Sequence, residues 1–484
     1  MRRGHRVDRQ RLAGRSAGGL GRGPRGRLIR RAGWRSPAAV GALDGGAAAL
    51  LYSIGWARAF SFDASRTVGQ FVATPSLADA FRQDRFNNHP LFSALDHLVY
   101  RATGSQDERV LRVLPIALGA LAVALVAAAV ARRFGPLAGH VAGATLAVNA
   151  MAVRQFREVR GYALVTLAAV VATLLLFRML RDHRPRPWLL LAYALALAAA
   201  VCTHLFAAAL LPVHALVAVG ARRSPVRLVV PWAAAVAVGV AIQWPAIVDG
   251  LSRPPRYVFA PTFPLRLGAN LLGGPALAGM AVLVVVGWTV LRDRRWLPWV
   301  VIGTTAMVVG AWLAGPSWLD SRFFIWLAPA TSVAAGAAVS RHPRLALLAG
   351  ACVVAQLAIL GPPLARDEVP NRIAAGYVRA GQRDGRQVCA LGRTRAGLLA
   401  YVDDVRVIRT VPELPTCEMA VEAAGPTKEP LMGPACDRFA YVLALPARHR
   451  GAVFADQPLA PVAEHEAEAW RTTAEAPVCQ ALRP

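Results

Sequence analysis

The stretch Gln155-Phe156-Arg157-Glu158-Val159-Arg160-Gly161-Tyr162 lies between two long apolar runs, 136–153 and 161–178. A Glu or Arg at the centre of a bilayer helix costs roughly 2.5–3.5 kcal/mol on insertion scales. Arg157, Glu158 and Arg160 therefore belong at a membrane face or along a polar cavity. That cavity is the first candidate for an active site.

The rest of the chain fits a polytopic membrane protein. It has 484 residues, 55% of them hydrophobic, and a mean hydropathy of +0.40. Only 17% are charged, below the roughly 25% of soluble domains. Apolar runs fall at roughly 38–56, 111–131, 136–153, 161–178, 187–202, 205–220, 228–248, 275–291, 296–315, 323–339 and 344–361, each about a membrane span long. The run from Trp188 to Val219 would be about 48 Å long as one helix, against a hydrocarbon core of about 30 Å. It must fold back near Thr203-His204. About eleven spans result.

The net charge of +27 points to nucleic acid only until the charges are located. Arginines cluster at Arg132-Arg133, Arg178 to Arg186, Arg222 to Arg227, Arg292 to Arg295 and Arg341 to Arg344, between apolar runs. That is the positive-inside pattern, and it excludes a nucleic-acid partner as the reason for the charge. It implies a cytoplasmic N-terminus and an extracytoplasmic C-terminus. The connections Ala57 to Arg109, Asp249 to Asn270 and Gly315 to Arg322 then face outward, as do the Arg157–Arg160 hinge and the His204 tip.

The ends differ from the middle. Residues 1–37 are rich in Arg, Gly and Ser and read as a disordered cytoplasmic tail. Their Gly21-x-Gly23-x-x-Gly26 match follows no strand and contains Pro24, so it is no dinucleotide site. Arg30-Arg31 before an apolar run fits an uncleaved anchor better than an export signal. Residues 362–484 lose the long apolar runs and read as a small α/β domain. Its strands are expected at Gln387 to Leu391, Val405 to Val411 and Phe439 to Leu445, with helix at Thr394 to Tyr401. Cys389, Cys417, Cys436 and Cys479 all fall there. Outside the cell they predict two disulfides in any of three pairings; four free thiols would instead fit an inside tail. Cys202 and Cys352 read as packing residues.

The first outer loop, 57–110, carries Phe62-Asp63-Ala64 and, later, Asn87-Asn88-His89-Pro90-Leu91. An acid just beyond a span is placed to act as a general base at the lipid surface, although most loop acids are merely solvated. These segments are similar to those of the GT-C membrane glycosyltransferases, of the protein O-mannosyltransferase and aminoarabinose transferase type. Asp63 matches the first member of that family's acidic pair. Asn88-His89-Pro90-Leu91-Phe92 resembles its His-Pro-Pro-Leu-Tyr element. Arg112-Val113-Leu114-Pro115 resembles an Arg-x-x-Pro opening of the next span. Gln155 to Tyr162 resembles a Ser-Gln-Glu-Ala-Arg-x-Tyr element. Thr203-His204-Leu205-Phe206 resembles Thr-His-Tyr-Phe, and Ser321-Arg322-Phe323-Phe324 resembles an Arg-Tyr element. The resemblance covers 38–361 in order. Ala64 stands in place of the second acid, Asn88 where Asp is common, and a second Pro is missing.

The resemblance implies a GT-C-like, all-α polytopic membrane domain with a small extracytoplasmic α/β domain. It implies an inverting transferase that moves a mannose- or arabinose-like sugar from a polyprenyl-phosphate carrier to a glycan, lipid or protein. Asp63 would be the base, and Arg160 and Arg322 would hold the donor phosphate. Asn88, His89, Glu158, Tyr162 and His204 would line the substrate. Several have plainer alternatives: Glu158 pairs with Arg157 or Arg160, Tyr162 anchors at the interface, His204 is a satisfied core group, His89 is a loop histidine that touches no substrate, and Arg322 snorkels from a helix end. With the second acid lost, no metal and no cofactor is expected. A lipid-linked-sugar flippase and a non-catalytic scaffold are the rival readings.

Overall fold

The computed structural model describes residues 36–81, 89–182, 185–222, 226–252, 262–291, 303–305, 308–310, 320–365, 371–383, 385, 388–391, 398–402, 405–408, 419–423, 441–444 and 469–472. The N-terminal tail, Asn88 and most of the span expected at 296–315 lie outside these residues.

The helices begin where local chemistry satisfies their free N–H groups. Ser36 accepts from the Ala39 amide at 3.1 Å and Pro37 follows it, which starts α1 (Pro37–Ser53). Asp107 caps α5 (Glu108–Phe134) through the Arg109 amide at 2.7 Å. Between these lie three elements of the first loop: α2 (Phe62–Thr67), which runs into a π-helical turn at Val68–Val72, α3 (Leu77–Phe81) and α4 (Pro90–Thr103). Small residues let α1 and α5 approach closely. A Cβ at Gly41 would lie 2.7 Å from the Ala124 carbonyl oxygen, and one at Gly45 would lie 2.8 Å from the Ala124 methyl.

The run expected as one span at 136–153 is broken. Helix α6 (Pro136–Ala147) stops, and α7 (Ala150–Gln155) restarts behind Asn149. The Asn149 side chain accepts from the Met151 and Ala152 amides and donates to the Asn270 and Leu271 carbonyls at 3.2 and 3.0 Å. That exchange satisfies the polar groups of the break, which lipid could not do. Next come α8 (Tyr162–Arg181) and α9 (Pro187–Thr203), an extended His204, a 3-10 turn at Leu205–Ala209, and α10 (Leu210–Gly220). The chain does fold back at His204. Then follow α11 (Val226–Ser252), α12 (Phe263–Leu271), α13 (Leu277–Leu291), a 3-10 turn at Ser321–Leu327, α14 (Ala328–Arg341) and α15 (Leu345–Ala365). Among the described residues, Glu108–Phe134, Tyr162–Arg181, Leu228–Pro245 and Ser321–Arg341 are long and apolar enough to cross a bilayer on their own.

One polarity runs through the bundle. Arg132-Arg133, Arg178, Arg181, Arg186 and Arg341 sit at one end of α5, α8, α9 and α14. Arg160, His204 and Arg322 sit beside the opposite ends of α8, α9 and α14, and Arg160 and Arg322 reach Asp63.

The tail forms α16 (Asn371–Arg383) and a five-stranded sheet of β1 (Val388–Leu391), β2 (Arg406–Ile408), β3 (Met419–Ala423), β4 (Tyr441–Ala444) and β5 (Ala469–Thr472). The order is β2-β1-β3-β4-β5, parallel except for the last pair. Ala375 and Val378 of α16 pack on Val388, Ala390, Leu398, Val402 and Val405. The sequence reading places β1, β2 and β4 but misses β3 and β5. The strand Met-Ala-Val-Glu-Ala at β3 has two alanines and a glutamate, a weak β signal. Cys389 is disulfide-bonded; Cys417, Cys436 and Cys479 lie outside the described residues. Cys202 and Cys352 are free and buried.

Candidate active site

The site begins with the turn that follows α1. Arg112, in the second turn of α5, is fully buried and spends its guanidinium on backbone. It donates to the carbonyls of Trp56 at 2.6 Å, Arg58, Ala59 at 3.1 Å and Arg157 at 3.1 Å. One side chain thus ties the turn after α1 to the hinge after α7. Arg157 reinforces the tie by donating to the Ile54 carbonyl. A buried arginine is tolerated only when such bonds replace its lost water.

Glu158 belongs to the same frame. Its carboxylate takes Arg58 Nη2 at 2.8 Å and the Ser61 hydroxyl at 2.8 Å. Among the described residues its ion-pair partner is Arg58, not the Arg157 or Arg160 of the structural alternative. The physical reason is the hinge, whose backbone turns at Phe156–Gly161 and aims Glu158 at the first loop. Ser61 also accepts from the Ala64 amide at 3.2 Å and so caps α2, the helix that presents Asp63 in its first turn.

Asp63 sits between two arginines from distant parts of the chain. Its Oδ2 is 2.8 Å from Arg322 Nη1, and its Oδ1 is 3.9 Å from Arg160 Nη1. Arg322 also reaches Asp320 at 3.3 Å, and Asp320 caps the Ser321–Leu327 turn by accepting from the Arg322 amide at 3.0 Å. Asn270 bonds the Ser321 hydroxyl at 2.8 Å and holds that turn against α12. Arg160 is 3% exposed, Arg322 30% and Asp63 35%. Arg160 is therefore the floor of the site; the other two are its mouth.

Aromatic rings make the wall. Arg160 and Arg322 lie over the Tyr162 ring, 5.8 and 5.9 Å from its centre. His89 packs on Tyr162 at 5.0 Å and on His204 at 5.3 Å, and His204 on Phe323 at 5.1 Å. A Cβ at Gly161 would lie 2.8 Å from the His89 Cβ, so glycine is what lets α8 start this close to the loop. His89 Nδ1 lies 3.1 Å from the Thr203 carbonyl, which can only accept, so Nδ1 carries the proton. Burial, and then the Arg160 charge, hold His89 well below its ordinary pKa. Its ring is neutral at pH 7 and offers Nε2 as an acceptor. Unfolded, the same histidine binds a proton below about pH 6.5. Stability is therefore expected to fall as pH drops below that value, with His89→Asn flattening the slope in a thermal-melt series.

The Tyr162 hydroxyl is buried and finds no hydrogen-bond partner among the described residues. Leaving such a group unmet costs about 1–3 kcal/mol. If substrate meets it, Tyr162→Phe raises the melting temperature of the empty protein and lowers turnover about tenfold. Turnover equal to wild type would remove Tyr162 from the substrate-binding set.

Asp63, His89, Arg160, Tyr162, His204 and Arg322 are thus gathered at one end of the bundle. Glu158 stands behind them as support, and Asn88 lies outside the described residues. Arg58, Ser61 and Asp320 were not singled out as site residues. Arg112 is read in the sequence only as the Arg of the Arg-x-x-Pro element that opens the next span. Among the described residues no three His, Cys, Asp or Glu side chains gather into a possible metal site.

The family model of dolichyl-phosphate-mannose-protein mannosyltransferases matches residues 87–248. The apo structure of ArnT from Cupriavidus metallidurans superposes with a TM-score of 0.56 at 15% identity, covering 92% of this chain and 98% of that one. This chain has the GT-C fold. The structure of the same ArnT bound to undecaprenyl phosphate gives 0.55 at 14% identity over 90% of this chain and 98% of that one. No curated protein matches by sequence. The resemblance therefore rests on the fold and on the family-model match at 87–248. Membrane character follows from the same fold and from the apolar helices.

Proposed function

We propose that this protein is an inverting glycosyltransferase that takes a mannose- or arabinose-like sugar from a polyprenyl-phosphate carrier at the outer face of the cytoplasmic membrane. The observation that carries the reading is the Arg160–Asp63–Arg322 cluster, one carboxylate between two guanidiniums at the end of the bundle away from the arginine clusters. The undecaprenyl phosphate held by the similar ArnT supports a carrier of that kind. The Cys389 disulfide favours an oxidising compartment for the tail.

The chemistry needs a base, a cation and no nucleotide. An acceptor O–H gives its proton to Asp63, and its oxygen attacks the anomeric carbon. The bond from that carbon to the phosphate oxygen breaks, and its electron pair leaves on polyprenyl phosphate. A single in-line displacement inverts the anomeric centre, as in single-step glycosidases. Arg322 and Arg160 neutralise the departing phosphate, for which the planar guanidinium is well shaped. His89 and Tyr162 offer an acceptor and a hydroxyl to the sugar. Because Arg322 holds Asp63 in the resting site, an arriving phosphate competes for that guanidinium and frees the base. Empty sites are masked; loaded ones are armed.

The test uses full-length protein in proteoliposomes with undecaprenyl-phosphate mannose or its arabinose counterpart, and cell-envelope extract as acceptor. Release of undecaprenyl phosphate together with labelled product supports the proposal. Movement of intact donor across the bilayer without sugar transfer would replace it with a flippase.

A further inference from the structure

We infer that the tail domain is a clamp on the Asp63 helix, with Tyr401 as its positioning residue. The inference rests on the proposed role of Asp63 as base. Tyr401 lies 341 residues from Phe60 in sequence, yet its hydroxyl accepts the Phe60 amide at 2.7 Å and donates to Glu108 at 2.9 Å. Its ring packs on Phe60 at 5.8 Å between centres. One residue earlier, the Ala400 amide donates to the Ser65 hydroxyl at 3.1 Å. One earlier again, the Leu399 carbonyl closes on Gly69, where a Cβ would collide with it.

Three consecutive tail residues thus grip residues 60, 65 and 69. Asp63 lies between the first two. Ala400 joins Phe60, Ala64 and Val68 in one buried apolar cluster, so the grip excludes water as well as bonding. The turn is itself braced. Arg379 of α16 donates to the Tyr401 carbonyl at 3.3 Å, and Arg372 to the Ala57 carbonyl at 3.0 Å. Burial and the nearby Glu108 push the Tyr401 hydroxyl above its ordinary pKa, so it stays a donor at working pH.

The physical need is plain. Asp63 rides on a six-residue helix that continues only into a five-residue π-helical turn, together too short to hold their own geometry. The Ser61 cap and the Arg112 bonds fix where that helix starts, but neither reaches beyond its first turn. Packing on Phe92, Leu111, Val159 and Leu164 and the His97 contact to the Val72 carbonyl hold the buried side of the segment; the tail supplies a further constraint along residues 60–69. Tyr401 touches no reacting atom; it acts through the placement of Asp63.

Two variants test this in full-length protein in lipid nanodiscs. Tyr401→Phe removes the hydroxyl. Gly69→Ala pushes Leu399 off the loop without touching Tyr401. With undecaprenyl-phosphate mannose or its arabinose counterpart and envelope extract, each is expected to lower kcat about 10- to 100-fold, the scale of an ångström-sized misplacement. KM for donor and the amount of undecaprenyl phosphate bound per protein should change less than about twofold. Hydrogen exchange supplies an arm that needs no turnover: amides of 60–69 should exchange at least about tenfold faster in both variants, with α8 unchanged.

Wild-type kcat in both variants, or undiminished protection of 60–69, overturns the clamp. So does a fall in kcat matched by an equal fall in bound lipid, which reports lost folded protein only. Asp63→Asn separates the two readings. If it turns over normally the base assignment fails; if it is inactive while Tyr401→Phe and Gly69→Ala are unimpaired, the clamp alone fails.

Discussion

Asp63→Asn is expected to lower sugar transfer about 10²- to 10⁴-fold, the usual contribution of a positioned general base, while strengthening the binding of undecaprenyl phosphate. The first half follows from chemistry, since an amide cannot take the acceptor proton. The second half follows from the resting geometry. Arg322 Nη1 lies 2.8 Å from the Asp63 carboxylate, and that ion pair must open before the guanidinium can serve a phosphate. Asparagine keeps the shape of the side chain and removes the charge that competes. A gain in lipid affinity alongside a loss of turnover distinguishes this from a damaged site, in which both fall. Titration with undecaprenyl phosphate, followed by thermal shift, checks it. Weaker binding in the variant would mean that Asp63 helps hold the phosphate site together instead of masking it.

How much of this was legible beforehand depended on the range of the interactions. The helical framework was readable because apolar runs and arginine clusters are local signals in one dimension. The hinge at Arg157 to Arg160 was readable because charge between apolar runs has few explanations. The partner of Glu158 was not. Arg58 lies 100 residues away, and only the turn built by Arg112 brings it near. The break between α6 and α7 was hidden for a similar reason. Asn149 looks like any polar residue near a span end until the carbonyls of Asn270 and Leu271 are brought to it. Tyr401 was invisible altogether. A tyrosine near the end of a helical stretch in a water-facing domain has many uses, and nothing in its neighbours points to Phe60.

Arg322→Gln should cut kcat/KM about 10²- to 10³-fold, the scale seen when one charge-stabilising group is lost from a reacting centre. It should weaken undecaprenyl phosphate binding, opposite in sign to Asp63→Asn in the same titration. Glutamine cannot neutralise charge on the departing phosphate, and it removes the closer of the two cations beside Asp63. If masking were the main duty of Arg322, the loss would therefore activate the base and raise turnover. The two roles predict opposite outcomes, and charge arithmetic decides between them. The leaving oxygen gains charge in the transition state, whereas the proton moves to a carboxylate that donor binding has already unmasked. Arg322→Lys separates charge from shape: it keeps the first and loses the planar fork that reaches Asp63 and Asp320 together. Partial recovery in the lysine variant is expected. A donor analogue with a less basic leaving group should lose less rate on Arg322→Gln than the natural phosphate does, because less charge then needs stabilising. An equal loss for both donors would show that Arg322 serves binding alone.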